Sequence, residues 1–126
     1  MNTQIIPEML YQVTQSLAEN LVASDPFMQY AQARDTFEAD PNAQSLLKDI
    51  TSIQGEIRQK QQRGQVTQED IDLLRVMQQQ AQSNETIMQY ANTQQNAVSF
   101  LREINQEISQ LLGVDFAALS RQTGCC

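Results

Sequence analysis

Gln62-Arg63-Gly64-Gln65-Val66-Thr67-Gln68-Glu69-Asp70 reads as a helix stop followed at once by a helix start. Gly64 suits the left-handed position just past a helix end, which a Cβ makes costly. Arg58, Lys60 and Arg63 precede it, where positive charge complements the C-terminal end of a helix dipole. Thr67 is placed to cap the next helix, and Asp70 three residues later completes an approximate capping box, with Glu69 in the first turn. A turn this short forces its two helices to lie side by side and antiparallel, so the fold is organised on a helical hairpin.

Working outward, the upstream arm runs from Pro41 to Arg63, with Ala43, Leu46, Leu47, Ile50, Ile53 and Ile57 as its buried seam. Asp40-Pro41 opens it as a cap followed by proline at the first helical position. Ser24-Asp25-Pro26 repeats that device, with Asp25 as the cap, and starts a helix reaching about Ala39. On that helix Phe27, Tyr30, Ala31, Ala33, Arg34 and Phe37 turn a partly aromatic face inward. Before it, Pro7 to Ala23 carries Leu10, Val13, Leu17 and Leu21 as one apolar stripe, with Pro7 in the first turn. The downstream arm, Gln68 to Gln82, repeats apolar residues at Ile71, Leu74, Met77 and Ala81, and Leu73 and Val76 widen the stripe. Ser83-Asn84 offers a cap, leaving open a break there or one continuous helix. The last long helix stops at Gly113, and Asp115 caps a short turn over Phe116 to Ser120, where Phe116 and Leu119 dock weakly. Met-Gln-Tyr-Ala occurs at Met28 and again at Met88, which in a Gln- and Ala-rich chain reads as chance recurrence, with internal duplication as the alternative.

The 126 residues suit one domain over residues 1–120 with a flexible Cys-containing tail at 121–126. Only 4 glycines and 3 prolines leave a sheet without turns, so the class is all-α. No apolar run is long enough to span a membrane and no signal peptide opens the chain, which points to the cytoplasm. The net charge of −7, from 15 acidic and 8 basic residues, repels phosphate backbones and argues against autonomous nucleic-acid binding. The cluster Arg58, Lys60, Arg63 reads as a solvated helix end, with contact to RNA or an acidic partner as the alternative.

Length points to an oligomer. A helix from Glu85 to Leu112 is roughly 40 Å long at 1.5 Å per residue, against about 35 Å for a compact domain of this size. Ala97, Leu101, Ile104, Ile108 and Leu111 follow alternating spacings of three and four, the seam expected for pairing along a helix. Phe100 and Val98 lie off that seam, giving the helix two apolar faces. A hairpin partner covers one and a second subunit the other.

Chemistry is sparse. The absence of His removes the commonest general base and metal ligand. Glu103 with Glu107, and Glu69, Asp70 and Asp72, read as solvated faces and dipole partners; a helical-bundle di-iron site needs Glu-x-x-His motifs. No phosphate loop, nucleophile elbow or EF-hand pattern occurs, and the expectation is a non-enzymatic protein. Cys125-Cys126 is the sharpest signal. Neighbouring cysteines form only a strained disulfide, and two thiolates fill half of a four-sulfur iron–sulfur or zinc shell, so further ligands would come from another chain. A free tail and a prenylated terminus are the other readings.

From Leu10 to Leu112 the chain resembles the YlbF/YmcA family of small helical bacterial regulatory proteins. The residues carrying the resemblance are Ser24-Asp25-Pro26-Phe27 with Tyr30 and Ala33, then Asp40-Pro41-Asn42-Ala43, Gln54, Gln61, Gly64 and Glu69-Asp70. Asn84, Tyr90-Ala91 and the Leu101 to Ile108 stripe complete it. The resemblance implies a non-enzymatic regulatory adaptor that acts through protein–protein interaction. It further implies influence on competence, sporulation and biofilm development through messenger RNA processing by a membrane-associated endoribonuclease. Expected partners are a second copy or more of the chain, family members, or a further regulatory protein. Iron–sulfur clusters linked to such assemblies make Cys125 and Cys126 candidate ligands. The resulting expectation is an all-α, elongated, oligomeric bundle built on long antiparallel hairpins. An iron–sulfur or redox-sensing subunit and a structural coiled-coil subunit are the alternatives.

Overall fold

Helix-stop and helix-start signals divide the chain as the sequence predicts. The computed structural model describes residues 5–122. Six helices run in order: α1 (Glu8–Val22), α2 (Asp25–Glu38), α3 (Pro41–Gln62), α4 (Gln68–Gln82), α5 (Glu85–Leu112) and α6 (Phe116–Gln122), with no strand among the described residues. The fold is all-α.

The α3–α4 turn closes α3 with a Schellman arrangement. Gly64 takes φ +67°, the Gln65 amide reaches back to the Lys60 carbonyl at 2.9 Å, and the Gly64 amide to that of Gln61 at 3.2 Å. Two residues on, the Asp70 amide donates to Thr67 Oγ1 at 3.2 Å while Asp70 Oδ2 accepts from the Thr67 amide at 3.0 Å, a complete capping box. Asp40 caps α3 through the Ala43 amide, Asn84 caps α5 through Ile87, and Asp115 caps α6 through Ala118. The Asn84 cap settles the question at Ser83-Asn84: the chain breaks there.

Several expectations are corrected. Asp25 lies inside the first turn of α2, and it is the Ser24 carbonyl that accepts from the Met28 amide; the Ser24 hydroxyl turns back to the Leu21 carbonyl. Pro7 stands just before α1 rather than in it. Arg34 is exposed and pairs with Asp35, as a guanidinium on that face is better hydrated than buried. Leu73 and Val76 do not widen the covered stripe of α4; they are exposed, while Ile71, Leu74, Met77 and Ala81 are half-buried. α6 extends through Gln122, two residues past the predicted turn and into the stretch expected to be tail.

The chain divides into two compact units, one made of residues 1–30 and 95–126, the other of residues 31–94. The second unit contains the α3–α4 hairpin and most of the core: Ala33, Ala43, Ile50, Ile57 and Ile87 are buried there. Phe37 stacks on Tyr90 with ring centroids 4.8 Å apart. Thr93, the only buried polar residue among those described, donates its hydroxyl to the Gln89 and Tyr90 carbonyls, so its burial leaves nothing unpaired. In the first unit Phe27 meets Phe100 edge-on at 6.3 Å, and Ala97 is its single buried hydrophobic residue among those described.

Candidate interaction surface

An amphipathic helix hides its apolar stripe only if something packs on it. The residues-31–94 unit meets that condition, since its hairpin arms cover each other. The other unit does not. Of the eighteen large hydrophobic residues exposed among those described, only Leu73 and Val76 belong to residues 31–94; the other sixteen lie in residues 1–30 and 95–126. They include Leu10, Val13 and Leu17 on α1, Leu101, Leu111 and Leu112 on α5, Val114 after it, and Phe116 and Leu119 on α6.

The predicted α5 seam is graded along its length. Ala97 is 7% exposed and covered by its own chain, Leu101 is 41% exposed, Ile104 and Ile108 are half-buried, and Leu111 stands 86% exposed. Phe116 and Leu119, expected to dock, are about half exposed. The α5–α6 corner is built by local chemistry: Gly113 turns the chain at φ +76°, Asp115 caps α6, and the Phe116 amide donates to Ser109 Oγ at 2.9 Å. This leaves an open cleft of about 460 Å³ with Val98, Leu101 and Ala117 among its lining. Arg102 and Arg121, the two basic residues of residues 1–30 and 95–126, both line it. Asn105 and Asp115 line it too, so the apolar patch is rimmed by polar groups and by charges of both signs.

Shifted protonation is found elsewhere, on the hairpin turn. Lys60 Nζ donates to Asp70 Oδ1 at 2.9 Å. This bond, with the Thr67 amide, pulls the Asp70 carboxyl down to about 2, and it raises Lys60. The pair joins the end of α3 to the start of α4 and belongs to the fold. Among the described residues no group of three or more Cys, Asp or Glu is placed to hold a metal ion. Cys125 and Cys126 lie outside the described residues. Among the described residues no helix is long and apolar enough to cross a membrane. Sequence reasoning found the α5 seam and the α1 stripe but gave no sign that α1 is left uncovered. Spacing reports amphipathicity, not what packs on it.

These features define an all-helical protein in which most of the exposed large hydrophobic side chains, among the described residues, belong to one of two units. The chain belongs to the YlbF/YmcA family, described as control of competence regulator ComK, whose model matches residues 10–112. Relatives include a UPF0342 protein of Lactobacillus acidophilus, 28% identical over 80% of this chain and 88% of its own. Another, from Streptococcus sanguinis, is 28% identical over 79% and 89%. The fold is shared with Bacillus subtilis RicA, whose crystal structure is a complex with RicF (TM-score 0.74, 18% identity, 83% of this chain and 94% of that one). It is also shared with a protein of unknown function (DUF964) from Bacillus stearothermophilus (TM-score 0.61, 24% identity, 84% and 94%).

Proposed function

We propose that this protein is a non-enzymatic regulatory adaptor that works by binding other proteins, with the α5 seam from Leu101 to Leu111 as part of its binding surface. The observation that carries the reading is the uneven burial: among the described residues, sixteen of eighteen exposed large hydrophobics fall in residues 1–30 and 95–126. Exposed apolar side chains gathered in one unit support a protein-binding role. Membership of a family named for control of a competence regulator supports a regulatory role, and RicA, alike in fold, forms a complex with RicF. In this reading the bound partner is a family relative, and the complex acts in competence-type regulation through messenger RNA processing.

The test mixes the purified chain with each family relative encoded by the same genome and measures mass by light scattering. A mixed complex with at least one relative is expected, weakened at least tenfold by Leu101→Glu with Leu111→Glu, since each substitution puts a charge into an apolar contact. No complex with any relative overturns the adaptor reading. For the messenger RNA step, deleting the gene should change the pattern of transcript ends in the cell; an unchanged pattern removes that part.

A further inference from the structure

α6 is turned the wrong way round for a firmly docked helix. Successive residues of an α-helix are about 100° apart, so Ala117, Ala118 and Arg121 share one face and Phe116 and Leu119 the opposite one. The small face is the covered one: Ala117 and Ala118 are half-buried, whereas Phe116 is 46% exposed and Leu119 55%. That face looks onto α5. The Phe116 amide is tied to Ser109 Oγ at 2.9 Å, and further along α6 Ala117 and Arg121 line the same cleft as Val98, Leu101 and Arg102. α6 therefore runs back along α5 over part of its apolar seam.

We infer that α6 is a detachable lid, which in the free chain shields the α5 seam around Leu101 and lifts off to uncover it. As regulation this rests on the adaptor reading, which makes the seam a binding surface; the shielding itself does not. Stability argues for detachment. An isolated helix shorter than about 12–15 residues is marginal in water, and α6 has seven, so it persists only through what holds it. Those holds are few: Asp115 caps it through the Ala118 amide at 3.1 Å, the Ser109 hydroxyl accepts the Phe116 amide, and two alanines offer little apolar area. Phe116 and Leu119, the side chains able to fix it firmly, face solvent. Elements held this weakly open at low cost while the rest of a fold stays intact.

Charge points the same way. Arg121 on the lid and Arg102 on its seat face one cleft as like charges, and among the described residues neither lies within ion-pair distance of a carboxylate, Asp115 included. Their repulsion favours the open position. Gly113, at φ +76°, supplies the bend about which α6 lifts, and only Val114 and Asp115 separate it from the helix. The cleft of about 460 Å³ between the two elements means that α6 rests over its seat without filling it. The opposite arrangement, a fixed α6 whose Phe116 and Leu119 are permanent parts of the binding face, predicts the reverse response to loosening it.

Accessibility at Leu101 is the direct readout. In a chain carrying Cys125→Ser and Cys126→Ser, Leu101→Cys is labelled with a bulky maleimide, and Leu111→Cys, at a position 86% exposed and outside the cleft, serves as the open reference. Leu101→Cys should react several-fold more slowly than the reference. Adding Ser109→Ala, which removes the tie on Phe116, should speed it roughly two- to tenfold, the worth of one hydrogen bond, and leave Leu111→Cys as it was. Asp115→Ala, which removes the cap, should do the same. Equal rates at the two positions overturn the inference. So does a Leu101→Cys rate that neither Ser109→Ala nor Asp115→Ala moves while the thermal transition of the residues-31–94 unit is unchanged. Where a family relative binds, Ser109→Ala should tighten that complex; a weakened complex makes α6 a fixed part of the binding face and overturns the lid. If no relative binds, the adaptor reading falls, and the labelling rates still decide the lid.

Discussion

Asp70 uses both carboxylate oxygens at one turn, Oδ1 toward Lys60 and Oδ2 toward the Thr67 amide. Its folded pKa is depressed, so the stabilisation is whole above its ordinary value of 3.8 and is lost as pH falls through about 2. Lys60 is raised, so at the other end the contribution is whole below its ordinary 10.5 and lost as pH climbs past its folded value. Urea melts of the wild type and Asp70→Asn should therefore differ between pH 5 and pH 9 and converge near pH 2. A gap unchanged at pH 2 would remove the carboxylate's charge as the cause. Thr67→Ala should cost about 1 kcal/mol by loss of the cap. The capping box and the stop glycine were legible in the sequence, being chemistry within a few consecutive residues, but the Lys60–Asp70 pair was not: Lys60 read there as a solvated dipole partner, and only the closed turn brings it to a carboxylate ten residues on. Ser24 and Asp25 show the limit: both residue types cap well, and only the backbone decides which one stands outside the helix.

At the scale of the element, α3 contains two opposite glycine cases. Gly64 sits past its end at φ +67° with nothing within 4 Å of where a Cβ would stand, so Gly64→Ala should cost about 1–2 kcal/mol from backbone strain alone. Gly55 lies inside the helix with the same open space, and Gly55→Ala should stabilise by about 0.5–1 kcal/mol. Chemical denaturation of the two variants checks both signs; a shift of the same direction in each would contradict the assigned backbone. Helix periodicity placed the covered seam of α3 correctly at Ala43, Ile50 and Ile57. The same spacing on α1 describes a stripe that stays in solvent. The two stripes are alike as sequence and differ only in whether their own chain supplies a covering helix, as α4 does for α3. For that reason Leu73, Val76 and Arg34 also escaped correct placement: each sits at the margin of a stripe, where covering partners decide the outcome.

Over the whole molecule, the division of burial predicts a division of mutational cost. Ile50→Ala and Ile57→Ala remove packed atoms from the residues-31–94 unit and should cost about 2–5 kcal/mol each. Leu10→Ala and Leu111→Ala remove exposed atoms and should stay within about 0.5 kcal/mol in a dilute, partner-free sample. Equal costs for the two pairs, measured by chemical denaturation, would mean that the α1 and α5 surfaces are already covered at that concentration. Of the two exposed apolar stripes, the spacing of each is written in the sequence, but the bareness of α1 is not. The stretch from residue 31 to residue 94 is uninterrupted along the chain, while the other unit is assembled from residues 1–30 together with 95–126. On the ribosome, the central stretch can therefore acquire its native contacts, from the α3–α4 hairpin to the Phe37–Tyr90 stack, while later residues are still being added. Phe27 must wait for Phe100, the ring it meets edge-on, until translation has passed residue 100, an interval in which chaperones and proteases have access to it.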